Sequence, residues 1–196
     1  MPVPRSVAFA VVTALLPVAG CVETPPGPLP QATPSWSCTP VAGGTPYACY
    51  EHQYQQTSAQ NKLYEEAEAV YRKYHAEDER IFRLGGLTEP SQVLLETTTD
   101  AYLREAMAEY RGLKENHGGL IKGTYGIAWL KPLPDTIRAG FVATLEVCTD
   151  VSEATFRGEG GKPYQIGEDN AERLYFVRES ELLKIGAADH QRVKSC

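Results

Sequence analysis

Basic residues are outnumbered: 19 Lys and Arg stand against 25 Asp and Glu, and nowhere do the basic ones gather into a block. A chain of net charge -6 without such a block has nothing to track a phosphate backbone, which excludes nucleic acid as a partner. Long apolar runs are missing as well. The stretch Ser6 to Ala19 falls short of the roughly 20 residues a helix needs to cross a hydrocarbon core. No cysteine pair has C-x2-C spacing and no histidine pair has H-x3-H spacing, so the usual zinc arrangements are absent. There is no nucleophile elbow, no metal-binding helix, no phosphate loop and no internal repeat. Gly158-Glu159-Gly160-Gly161-Lys162 lacks a strand-loop-helix setting and reads as a hairpin loop. No metal, no cofactor and no catalytic residue is assigned.

What is present begins at the amino terminus. Arg5, the apolar run and the small residues Val18-Ala19-Gly20 before Cys21 make a secretory signal with the cysteine at the cleavage site. This resembles a bacterial lipobox. The resemblance implies that residues 1–20 are removed and that a diacylglycerol is attached to the Cys21 sulfur. The protein is then expected on the outer face of the cell membrane, with the membrane as its partner through the lipid anchor. Four cysteines remain, Cys38, Cys49, Cys148 and Cys196. An even set outside the cytoplasm points to two disulfides, with three pairings open. Cys38 and Cys49 bracket a short Pro/Gly loop. Cys148 ends a predicted strand beside the last one, and Cys196 lies just past that last strand, so Cys38–Cys49 and Cys148–Cys196 are the expected bonds.

Residues 21–50 read as a Pro-rich tether without regular structure, since Pro25, Pro26, Pro28, Pro30, Pro34, Pro40 and Pro46 deny it a ladder or a helix. Residues 51–196 read as one domain. From Thr57 to Arg83 the spacing of Leu63, Ala67, Val70, Tyr74 and Ile81 predicts a helix with one buried face, capped by Thr57 and Gln60 and closed at Gly85-Gly86. A short helix follows, capped at Thr88. Asp100 opens a second long helix, with Tyr102, Leu103, Ala106, Met107, Tyr110 and Leu113 inside. Beyond Gly119 the period becomes two. Strands are expected over Ile121–Trp129, around Phe141–Val147, over Ala154–Arg157 and in a hairpin turning at Glu179-Ser180-Glu181.

Helices followed by antiparallel strands make an α+β fold, with N-terminal helices packed on a curved antiparallel sheet. The order resembles the cone-like nuclear-transport-factor-two-like, or SnoaL-like, fold. With the lipobox it resembles the exported lipoproteins of actinobacterial type that carry such a domain. The resemblance implies a pocket in the cone, used by isomerases, cyclases and dehydratases in some members and for binding or assembly in others. Tyr71, Tyr74, Trp129, Phe141 and Glu146 are the candidate pocket residues. Among the histidines, His75 reads as a rim or surface residue beside an acidic run, and Asp189 and His190 point to opposite faces of a strand. Glu146, mid-strand, is either a pocket acid or half of a cross-strand ion pair. The first functional expectation is a non-catalytic binding or assembly domain for an apolar small molecule or a protein. The alternatives are an isomerase- or cyclase-like enzyme and a component of a conjugation or secretion apparatus. A buried carboxylate facing an open cavity would favour the enzyme.

Overall fold

A computed structural model describes residues 33–158, 162–165 and 168–196. The signal run, Cys21 and the prolines up to Pro30 lie outside the described residues, as do Glu159 to Gly161 of the expected hairpin loop.

Helix α1, Glu51–Leu84, starts earlier than its Thr57 expectation. The Gln53 side chain reaches back to accept the Tyr50 backbone N–H at 2.9 Å and closes the first turn, leaving Thr57 and Gln60 inside the helix. At the other end Gly85 takes φ 74°, and Gly86 donates its N–H to the Ile81 carbonyl at 3.0 Å, the left-handed closure the glycine pair predicts. The buried residues of α1 are Tyr64, Ala67, Tyr71, Tyr74, His75, Glu77, Asp78 and Ile81; Ala67, Tyr74 and Ile81 of the expected stripe are among them, while Leu63 and Val70 pack partly buried at its edge. Its outer face carries Glu68–Arg72 and Glu79–Arg83 pairs at 2.6 Å, exposed and worth well under about 1 kcal/mol each. Helix α2, Gln92–Thr97, is capped by Ser91 and not by Thr88; helix α3, Asp100–Glu115, is capped by Thr99.

The Pro-rich stretch is not all tether. Strands β1, Trp36–Cys38, and β2, Tyr47–Cys49, pair antiparallel, with Pro40 and Pro46 kept out of the ladder in the connecting loop. The Cys38–Cys49 disulfide closes this hairpin, and Asn61 of α1 donates to the Thr39 carbonyl at 3.2 Å. Pro34 to Cys196 accordingly form one compact unit.

The expected strand Ile121–Trp129 is two strands in two different sheets. Gly123, at φ 96°, breaks it, and a Cβ there would stand 2.6 Å from the Glu153 carbonyl. Strand β3, Gly119–Lys122, pairs with β6, Thr155–Arg157, which pairs with β7, Pro163–Gln165. Strand β4, Gly126–Pro132, opens a separate four-stranded sheet with β5, Ala143–Asp150, β8, Asp169–Glu179, and β9, Leu182–Val193, in the order β4-β5-β8-β9. The expectation of one curved, cone-like sheet is corrected on this point. Among the described residues the fold is three helices with separate antiparallel sheets, because β3 leaves the main sheet at Gly123.

The core lies between α1, α3 and one face of the four-stranded sheet. Leu145 faces Leu174 and Ala143 faces Phe176 across β5 and β8, and Leu145, Leu174, Phe176 and Ile185 are fully buried. Each such side chain stabilises by about 1.5–3 kcal/mol. The opposite face of β5 holds Cys148, bonded to Cys196. No helix among the described residues is long and apolar enough to cross a membrane.

One pattern in this sheet positions everything that follows. Along the inner face the residues change from apolar to polar toward the same end on three neighbouring strands: Leu174 gives way to Glu172 and Asn170 on β8 and Ala188 to His190 and Arg192 on β9 at one level, and Val147, opposite Glu172, gives way to Thr149 on β5 one inward-facing pair further on. The packed half of the sheet ends there and a cavity begins.

Candidate functional site

The cavity has a volume of about 610 Å3 and opens between α1, α3, the polar end of the four-stranded sheet and the β3-β6-β7 sheet. The two helices contribute to it with the same spacing. From α1 come Tyr71, Tyr74, His75, Asp78 and Phe82; from α3 come Tyr102, Glu105, Ala106, Glu109 and Leu113. Both sets follow i, i+3, i+4, i+7, i+11, the stripe one helix face presents, and both place a carboxyl at i+7. Thr149, Asn170, Glu172 and His190 form the sheet side, and Phe156 closes the end.

Asp78 is the centre of the arrangement. It is 8% exposed, and both carboxylate oxygens are capped: Tyr110 donates to Oδ1 at 2.6 Å and Tyr125 donates to Oδ2. Tyr74 extends the chain, its hydroxyl 3.2 Å from that of Tyr110. Burial drives the Asp78 pKa up from its ordinary 3.8 to about 7; the two tyrosine hydroxyls pull the other way, and the negative charges of Glu109 and Glu172 add to the rise. Desolvation of the charged form thus outweighs two donated hydrogen bonds. The same burial raises the pKa of Tyr74, Tyr110 and Tyr125, so their hydroxyls keep their protons and remain donors.

His75 stacks on the Tyr125 ring, centroids 5.0 Å apart, and is more than nine-tenths buried. Its Nε2 has no hydrogen-bond partner among the described residues. Burial lowers its pKa, which keeps the imidazole neutral. On the sheet side His190 Nδ1 lies 3.3 Å from Glu172, and that carboxylate raises the imidazole's pKa. Glu109 keeps solvent exposure as a residue, and burial nevertheless raises its carboxyl pKa. No group of three or more His, Cys, Asp or Glu among the described residues is placed to hold a metal ion.

Of the sequence-derived candidates, Tyr71 and Tyr74 line this cavity; Trp129, Phe141 and Glu146 do not. Trp129 donates its indole N–H to the Cys196 carbonyl at 3.0 Å, with Lys131 over its ring. Phe141 packs on Tyr175, ring centroids 5.5 Å apart, beside a shallower depression with Gly186 and Val177. Glu146 pairs with Arg173, its cross-strand neighbour, at 3.5 Å, so the ion-pair reading describes it. His75 is buried in the cavity wall and not a surface residue. Asp189 and His190 do diverge: Asp189 accepts from the Tyr175 hydroxyl at 2.7 Å while His190 faces Glu172. Asp78, Glu109 and Glu172 escaped the sequence reading. For Asp78 a signal existed, because the expected stripe jumped seven residues from Tyr74 to Ile81 and Asp78 fills the i+4 position inside that jump.

No family model matches the chain, and no curated protein matches it. Among solved structures, the intermembrane-space region of the chloroplast protein ARC6 is similar at 14% identity and a TM-score of 0.45, over 64% of this chain and 94% of that one. A de novo designed β-sheet protein is similar at 13% identity and a TM-score of 0.30, over 61% of this chain and 86% of that one. At these scores neither carries a function across. The cone-like expectation is overturned by the divided sheet itself, with β3-β6-β7 separate from β4-β5-β8-β9.

Proposed function

We propose that the chain is an exported lipoprotein held on the outer face of the cell membrane through Cys21, and that its domain from Pro34 to Cys196 binds a small molecule in the tyrosine-walled cavity. The observation that carries this is the cavity of about 610 Å3 beside an enclosed carboxyl. That volume suits a small-molecule ligand, and its few convergent polar groups suit orientation of one. A fold selected for stability alone would fill such a space, because unfilled volume forfeits packing and a buried acid costs desolvation. Two disulfides fit an oxidising compartment, and the resemblance of Val18 to Cys21 to a lipobox supports the anchor.

One observation favours a catalytic variant of the same reading. The ionised form of a carboxyl whose pKa is about 7 is suited to take a proton from a carbon beside a carbonyl and return it at another carbon; Tyr110 and Tyr125 already donate to Asp78, so the hydroxyl left to donate to the developing enolate oxygen is that of another lining tyrosine, Tyr102. This is isomerase chemistry.

Ligand-induced stabilisation tests the reading. A small-molecule panel is screened by thermal unfolding against the full-length chain and against Ala106→Phe, which fills the cavity from α3. Hits should stabilise the wild type and lose their effect in the variant. Equal shifts in a normally folded Ala106→Phe protein would place binding elsewhere and sink the proposal. For the catalytic variant, solvent deuterium should enter a bound carbonyl compound with the wild type and not with Asp78→Asn.

A further inference from the structure

We propose that the ligand of this cavity is an organic ammonium ion, a protonated amine on a body of small-molecule size, held by the carboxylates of both walls and by tyrosine ring faces. This rests on the reading of the cavity as a binding site and gives the ligand its chemical class. Three observations lead to it.

The first is the balance of charge. The lining carries Asp78, Glu105, Glu109, Glu168, Asp169 and Glu172 against the guanidinium of Arg192 and two imidazoles. Burial disfavours the charged form of His75, His190 and Glu172 offset one another, and Asp78, capped by two tyrosines, keeps its proton up to about pH 7, so the excess of negative charge rests on Glu105, Glu109, Glu168 and Asp169 against Arg192. Glu105 and Glu109 make no ion pair among the described residues. The acidic lining is felt by the neighbours even though Glu172 has His190 and Asn170 as partners: its charge helps to raise the pKa of Tyr71, Tyr102, Tyr125 and Glu109. A bound cation relieves all of these at once, and a bound anion would aggravate them.

The second is the wall between the acids. Tyr71, Tyr74, Phe82, Tyr102, Tyr125 and Phe156 line the same space. The face of an aromatic ring attracts an ammonium group while still accepting its hydrocarbon part, so a ring-lined acidic cavity selects organic cations over both metal ions and neutral hydrocarbons. A metal ion would need three or more converging donors, and the described residues supply no such group.

The third is His75. It is more than nine-tenths buried, lines the cavity, and leaves Nε2 without a partner. In the tautomer protonated at Nδ1, Nε2 carries the imidazole's lone pair, and the N–H of an ammonium group is a donor able to meet it. An unmet buried group of this kind is otherwise unfavourable to the fold.

Three probes of one shape and three charges decide the matter: benzylammonium, benzyl alcohol and benzoate, titrated by NMR into the full-length chain. Benzylammonium should bind at least tenfold more tightly than benzyl alcohol, with benzoate not binding. Glu172→Gln should weaken benzylammonium severalfold and leave the alcohol unchanged, and Glu109→Gln, at the exposed rim, does the same if the first variant fails to fold. Equal or tighter binding of the alcohol or of benzoate would overturn the ammonium assignment while leaving a binding cavity. Failure of all three probes to perturb cavity resonances at saturating concentration would overturn both.

Discussion

Asp78 is held in a position where its charge is unwelcome, and that makes the stability of the protein depend on pH in a defined direction. With a folded pKa of about 7 and an ordinary value of 3.8, folded and unfolded chains both hold the proton below about pH 4. Between there and about pH 7 only the folded chain holds it, so the stability this group contributes is lost as pH rises through that window. The slope is about 1.4 kcal/mol per pH unit for one proton. Tyr110 and Tyr125, which cap it, and Glu109 and Glu172, which face it, are the groups that set the window. Asp78→Asn removes the titration, and denaturant unfolding at pH 5 and pH 7 should give a smaller difference for the variant than for the wild type. An unchanged difference would mean Asp78 ionises freely. Gly86 offers a second residue-scale check. Its φ is 93°, and a Cβ there would stand 2.2 Å from the Tyr110 carbonyl, backbone that cannot step aside. Gly86→Ala should cost more than about 2 kcal/mol in denaturant unfolding, combining backbone strain with displacement of α3.

At the scale of elements, the chain terminus is secured three times over: Cys196 is bonded to Cys148, its N–H donates to Asp169 at 2.7 Å and its carbonyl accepts from Trp129. The closed loop spans 48 residues, which corresponds to roughly 2–4 kcal/mol from restriction of the unfolded chain. The double variant Cys148→Ser, Cys196→Ser should therefore lower the unfolding free energy by about that amount, with far-ultraviolet circular dichroism unchanged at 25 °C. A variant as stable as the wild type would show that the two hydrogen bonds suffice. The helices were largely legible beforehand because their signals are local. Gly85-Gly86 closes α1 through bonds to the turn before it, and Thr99 caps α3 through a bond three residues on. The start of α1 was misplaced because Gln53 completes a turn at Tyr50 that a search for Ser or Thr overlooks. Ala67, Tyr74 and Ile81 of the α1 stripe are buried as expected, while Leu63 and Val70, more apolar than Tyr64 and Tyr71, lie at its edge and the tyrosines take the fully buried places.

For the whole molecule, the proposed anchor makes a prediction independent of the cavity. Cys21→Ser should move the protein from the membrane fraction to the soluble fraction or leave the precursor unprocessed, measured by fractionation and mass spectrometry. Normal processing with unchanged membrane association would remove the lipoprotein reading and leave the domain intact. The division of labour between chain and fold follows from how far each signal reaches. Composition, the cysteine spacing, the helix stops and the alternation of the strands act over a few residues, so the sequence was enough for helices followed by antiparallel strands and for the expected cysteine pairs. The partition of those strands into separate sheets depended on Gly123 meeting the backbone of Glu153, thirty positions on, and only the folded chain brings them together. The cavity depended on more. Asp78 looks like part of an exposed acidic run until Tyr110 and Tyr125, from other elements, close over it, and Glu172 looks like any alternating strand residue until register sets it beside His190 and across from α3. A pKa moved to about 7 is a property of that enclosure, since burial that desolvates a carboxyl exists only once distant segments have packed around it.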